Sequence, residues 1–231
     1  MSIYFFKEMG RVKNDILSLS AMVEERLHKA ALAVINRDSD LADEVIANDA
    51  DVDAMEVDIE EELLKIMALN QPVAVDLRFL VATLKINNDL ERIGDLAVNI
   101  AERAQVLSRN VHETMPVDLA PMSQAAELML HDSIDALVNL NARAATVVCR
   151  QDDVVDKMQH DIDLTIKAHM ARETDKDVID VLVALLRVAR DLERVADHAT
   201  NICEDLIYMT DGRIIRHHAD EYTAPPEESE A

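Results

Sequence analysis

Leu19, Met22, Val23, Leu27, Ala30, Ala31 and Val34 step along the chain by threes and fours. That spacing places them on one face of an amphipathic helix, predicted over about Phe5 to Arg37. Asp38, Ser39 and Asp40 then supply N-cap chemistry for a second helix, about Ser39 to Ala68, which Asn70-Gln71-Pro72 ends. A third helix is predicted from about Val73 to Ser108. Pro116 and Pro121 bracket the one obvious linker. A fourth helix follows (about Pro121 to Cys149), then a fifth (about Asp152 to Ala171) and a sixth (about Asp175 to Thr210). Gly212 stands where a left-handed C′ residue would end the sixth.

The pattern of three helices, a linker and three more is also a pattern of residues. Asp89-Leu90-Glu91-Arg92-Ile93-Gly94-Asp95 returns as Asp191-Leu192-Glu193-Arg194-Val195-Ala196-Asp197, at an offset of 102. Asn99-Ile100 returns as Asn201-Ile202 at the same offset. Upstream, Asp49, Asp53, Asp58 and Glu60 match Asp152, Asp156, Asp161 and Asp163 at an offset of 103. One residue of slippage falls in an interhelical turn. A repeat of nearly half the chain implies two copies of one three-helix unit. The expected fold is all-α, as two tandem antiparallel three-helix bundles. The expected units are residues 1–112 and 113–217, and the acidic, proline-bearing tail 218–231 reads as disordered.

Composition narrows the picture. Only 3 Gly and 5 Pro occur in 231 residues, so few tight turns can be built. With no Trp, 3 Phe and 3 Tyr, the core must come from Leu, Val, Ile, Ala and Met. The net charge of −23 opposes nucleic acid and anionic lipid, and favours cations and basic protein surfaces. No apolar run reaches membrane-spanning length, and the first residues lack the apolar core of a signal peptide. Cys149 and Cys203 form no CxxC pair, which fits a reducing cytoplasm.

The acidic residues are concentrated. Residues 38–62 hold 12 Asp and Glu and neither Lys nor Arg. Asp49, Asp53, Glu56 and Glu60 fall on one stripe of their helix, and Asp152, Asp156, Gln159 and Asp163 form its counterpart. Glu91 and Asp95, with Asn99 beyond them, lie opposite the apolar face of Ile86, Leu90, Ile93, Ala97 and Ile100. Glu193, Asp197 and Asn201 repeat that row. One acidic stripe is ordinarily a solvated face. Two stripes in register ask for a further reason, and facing carboxylate pairs make a set of hard oxygen ligands. Iron, manganese, magnesium, calcium and zinc all suit such ligands. Arg92 and Arg194 follow the motif glutamates and read as ion-pair partners or orienting groups. His198 adjoins Asp197, but its counterpart is Leu96. Gln159 in place of Glu56 lowers the charge of the second site, and Ala196 in place of Gly94 is a mild change.

These motifs resemble the PhoU family of regulators associated with phosphate-specific transport. The paired acidic motifs, Asp76-Leu77-Arg78, the run from Glu193 to Ile202 and the ending from Ile207 to His217 carry the resemblance over residues 4–217. It implies metal clusters on the bundle surfaces, held by Asp49, Asp53, Glu91 and Asp95 and by Asp152, Asp156, Glu193 and Asp197. It also implies a non-catalytic, cytoplasmic and homodimeric protein, with room for a peripheral position at the membrane's inner face. The implied role is repression of phosphate uptake and phosphate-starvation signalling, linking the ATPase subunit of a phosphate ABC transporter to a sensor histidine kinase. Two alternatives stand beside it. A ferritin-like di-metal enzyme needs Glu-x-x-His on two helices, and only the unrepeated Glu25-x-x-His28 fits. A metal-free helical scaffold needs nothing beyond solubility.

Overall fold

The computed structural model describes residues 3–110 and 115–215. These form eight α-helices, with no strand among the described residues: α1 (Ile3–Asn36), α2 (Ser39–Ala47), α3 (Asp49–Asn70), α4 (Val75–Arg109), α5 (Ala120–Val138), α6 (Ala142–Cys149), α7 (Asp152–Met170) and α8 (Lys176–Asp211). Each unit is three long helices with one short helix beside them. The expected boundary at 112/113 and the tail 218–231 lie outside the described residues.

Two of the expected helices are each two. The span 39–68 is interrupted at Asn48, which caps α3 without a side-chain hydrogen bond. A single intervening residue, with neither Gly nor Pro, leaves the hydrophobic period almost unbroken. The span 121–149 is interrupted at Leu140, a left-handed residue with φ 48°. The same turn occurs 103 residues earlier, where Arg37 has φ 54°. After it, Asp38 accepts hydrogen bonds from the N–H groups of Asp40 and Leu41, and Asn141 accepts them from Arg143 and Ala144. The backbone N–H of each cap reaches back to the carbonyl of Ala33 or Ala136 at 2.9 Å. The short helices α2 and α6 are therefore a fourth repeated element. At the far end of α8, Gly212 is left-handed (φ 70°) and its N–H closes on the Tyr208 carbonyl. A Cβ there would lie 2.4 Å from Arg78 Nη1, so glycine also makes room for α4's first turn.

Long helices that follow one another within a unit run antiparallel, so α1 and α4 run parallel, with Arg37 Nη1 donating to the Asn110 carbonyl at 2.9 Å where both end. Arg26 of α1 meets Asp49 of α3, and Asn87 of α4 meets Glu56 of α3. The two units join chiefly through α4 and α8, which also run antiparallel. Lys85 Nζ lies 2.8 Å from Asp205 Oδ1, and Asp89 Oδ1 lies 2.8 Å from His198 Nδ1. Leu80, Ile86, Leu90, Ile93, Leu96 and Ile100 of α4 are buried, as are Leu185, Leu192, Val195, Ile202 and Leu206 of α8. The buried residues form one continuous cluster, so the units share their core across this seam. Each fully buried Leu or Ile contributes roughly 1.5–3 kcal/mol. The apolar faces of α4 and α8 turn inward, which turns their acidic rows toward α3 and α7.

Candidate metal centre

In the first unit, Asp49 and Asp53 of α3 face Asp95 of α4. One carboxylate oxygen from each lies within 4.8 Å of the other two, and among the described residues no other trio of ligand atoms comes so close. Glu91 stands one turn before Asp95, and its Oε2 is buried without a hydrogen-bond partner. Burial first, and then Asp95, pushes the Glu91 carboxyl above its ordinary range. Arg92 opposes this, while Glu56 and Asp53 add to it. Asp49 is pushed up by burial and by Asp53, against the pull of Arg26. Glu56 is raised by burial, Glu60 and Asp53, and Asn87 Nδ2 donates to its Oε1 at 3.1 Å. Like charges crowded in a half-buried groove favour protonation, and a bound cation would relieve them.

The second unit brings Asp152 and Asp156 of α7 to Glu193 and Asp197 of α8. Burial and then Asp197 push the Asp152 carboxyl up to about 6, with Asp156 adding to the shift and Thr200 pulling against it. Asp152 Oδ1 and Thr200 Oγ1 are both buried and face each other, with no other hydrogen-bond partner. Glu193 is raised by burial, Asp197 and Asp156. Asp197 is raised by burial and Asp156. A set of oxygen donors, with Asp49, Glu91, Asp152, Glu193 and Asp197 all pushed up by burial and like charge, fits a hard or borderline cation.

The outlying candidates divide. Glu56 and Glu60 belong to the first site's field. Asp163 is bonded to Lys167, one turn along its own helix. Asn201 donates to Asp89 at 3.4 Å, which places it at the α4–α8 seam. Asn99 is half-buried on α4, one turn beyond Asp95. Arg92 reaches Glu91 at 3.5 Å and Asp95 at 3.6 Å, and Arg194 reaches Asp191 at 3.9 Å. His198 gives its Nδ1 to Asp89 and so does not aim that nitrogen at the carboxylates.

Three partners of the carboxylates lie outside the repeated motifs. Arg26, 6% exposed, holds Asp49 Oδ1 at 2.9 Å and also bonds the Asn48 carbonyl. Its trace in the sequence is a charge set into the apolar stripe of α1. Asn87 and Thr200 leave no such trace. Gly94 sits where a Cβ would meet Val52 Cγ1 at 3.2 Å, which lets α3 pack closely on α4 beside the carboxylates.

These features define a class: an all-α tandem-repeat protein that sets one carboxylate platform on each unit. None of its described helices is long and apolar enough to cross a membrane. A family model described as the PhoU domain matches residues 16–104 and 119–206, one copy per unit. The chain belongs to the PhoU family. It is 37% identical over 213 residues to the phosphate-specific transport system accessory protein PhoU of Serratia marcescens, covering 92% of this chain and 87% of that one. It is 36% identical to the PhoU homolog of Aquifex aeolicus, covering 92% and 95%. The crystal structure of PhoU from Pseudomonas aeruginosa superposes with a TM-score of 0.87 at 32% identity, covering 90% of this chain and all of that one. The phosphate transport system regulatory protein PhoU from Streptococcus pneumoniae gives 0.81 at 28% identity, covering 91% and 98%.

Proposed function

We propose that this chain is a non-catalytic negative regulator of phosphate uptake and phosphate-starvation signalling. The observation that carries the reading is the match of both units, over nine-tenths of the chain, to relatives named as accessory proteins of phosphate-specific transport. In this reading the protein works in the cytoplasm as a homodimer, peripheral to the membrane. It links the ATPase subunit of the transporter to a sensor histidine kinase. Residues 1–112 and 113–217 act as its two platforms. The net charge of −23 suits partners with basic surfaces, and attraction of that kind weakens as salt rises.

Metal ions would be held by Asp49, Asp53, Glu91 and Asp95 in the first unit and by Asp152, Asp156, Glu193 and Asp197 in the second. When bound, a cation neutralises the carboxylates and ties α3 to α4, or α7 to α8. Arg26 orients Asp49 by donating to its Oδ1. Glu56 and Arg92 shape the first field, and Thr200 faces Asp152 in the second. Elemental content of protein purified without chelator, beside the Asp95→Asn, Asp197→Asn variant, tests this part.

Deletion of the chain in its host at high phosphate tests the regulatory role. A phosphate-starvation reporter should switch on, with phosphate uptake unrestrained. A reporter that stays off with uptake unchanged would favour the metal-free scaffold.

A further inference from the structure

Neither platform uses the histidines between α1 and α5. Glu24 and His28 stand one turn apart on α1, and Glu127 and His131 hold the same places on α5 at the repeat offset of 103. The two helices run antiparallel there, so each glutamate meets the other unit's histidine. His28 Nδ1 lies 2.8 Å from Glu127 Oε2, and His131 Nδ1 lies 2.9 Å from Glu24 Oε1. The quartet lines an open groove of about 460 Å³. We propose that Glu24, His28, Glu127 and His131 form a further metal site, taking a borderline divalent ion of the zinc type.

The donor set sets the chemistry. Two imidazoles and two carboxylates suit zinc, cobalt or iron(II) better than calcium or magnesium, which prefer oxygen throughout. The spacing sets the geometry. Side chains at i and i+4 lie on one helix face, the arrangement by which a single helix gives two ligands to one zinc ion. Here two helices each present such a pair, and the cross-helix rungs are already closed to 2.8–2.9 Å. Ligands at about 2.0–2.1 Å from a tetrahedral ion sit only a little farther apart than that. The two rungs lie one turn apart, so the side chains must swing together along the groove. Both imidazoles are more than half exposed and free to do so.

Neighbouring groups favour an ion. Glu25 is spent on Lys29 at 2.7 Å, which leaves Glu24 to the groove and explains why the Glu25-x-x-His28 spacing is not the one in use. His131 Nε2 faces Asp135 Oδ2 at 3.8 Å. With metal on Nδ1, the ring proton moves to Nε2 and points at that carboxylate, the outer-shell partner that metal-bound histidines ordinarily have.

Cobalt(II) titrated into the chelator-stripped full chain at neutral pH tests the site. One ion per chain should develop the intense visible absorption of four-coordinate cobalt with nitrogen ligands. The His28→Gln, His131→Gln variant should lose more than about 100-fold in affinity for that ion, beyond what outer-shell changes cost. Glu24→Gln with Glu127→Gln, which keeps both rings, should weaken it as well. Asp95→Asn with Asp197→Asn should leave the absorption in place. Absorption that survives loss of both histidines overturns the proposal. So does a wild-type chain that takes up only pale, six-coordinate cobalt at the carboxylate platforms. The two rungs would then be ion pairs stitching α1 to α5. Circular dichroism confirms that each variant is folded.

Discussion

Arg26 and Met129 occupy the same place in the two units and leave their aspartates in different electrical surroundings. Asp49 has a guanidinium at 2.9 Å, whereas Asp152 has the neutral Thr200 hydroxyl facing it. Replacing Arg26 by Met copies the second unit into the first. The metal-free protein should lose about 1–3 kcal/mol, because a part-buried carboxylate loses its charged hydrogen-bond donor and the Asn48 carbonyl loses one too. The same change makes the first site more negative, so metal should bind it more tightly and recover more stability than in wild type. Chemical denaturation with and without added metal checks both signs.

Asp152 adds a pH dependence of definite direction. Its folded pKa of about 6 lies above the ordinary aspartate value. Its contribution is therefore fully present below the unfolded value of about 3.9 and is lost as pH rises through about 6. Metal-free protein should gain stability as pH falls from neutral toward 5. The Asp152→Asn variant should show a flatter profile over that window, measured by denaturant midpoints. Equal slopes in the two proteins would contradict this assignment.

At the scale of elements, Gly94 and Ala196 pose a paired experiment. Gly94→Ala gains helix propensity of up to about 1 kcal/mol but presses a methyl group toward Val52 Cγ1. The two effects should leave stability within about 1 kcal/mol of wild type. Ala196→Gly should simply cost about 0.5–1 kcal/mol, as glycine does inside a helix. Thermal melts of both variants separate close packing from propensity. The eight motif carboxylates are legible in the sequence because a repeat in register marks them twice. Arg26 is not, because nothing in the spacing of an isolated α1 says which residue of another helix it will reach. The break at Asn48 is hidden for a related reason: a one-residue interruption without Gly or Pro hardly shifts the apolar phase. The turn at Leu140 is hidden because a leucine, with no glycine signal, takes the left-handed conformation.

The whole molecule carries −23 charges, with its half-buried carboxylates pushed toward protonation. Salt should therefore raise the melting temperature of the metal-free protein by screening this repulsion. A divalent metal at about 100 times its dissociation constant should add about 2.7 kcal/mol per site, or roughly 5–10 °C for a chain of this size. The Asp95→Asn, Asp197→Asn variant should lose most of the increment. Calorimetry across salt and metal concentrations separates screening, which is gradual, from site binding, which saturates.

The α4–α8 seam constrains which surfaces could pair if chains exchanged partners. At the repeat offset, Lys85 corresponds to Arg187, Asp89 to Asp191, Leu96 to His198 and Arg103 to Asp205. Two copies of α8 laid together would put Arg187 against Asp205 and Asp191 against His198 at both ends. Two copies of α4 would put Lys85 against Arg103 and Asp89 against Leu96. Duplication has thus left the second unit able to mate with itself and the first unit not. Any domain-swapped or misassembled form of this protein should be held together by its second halves.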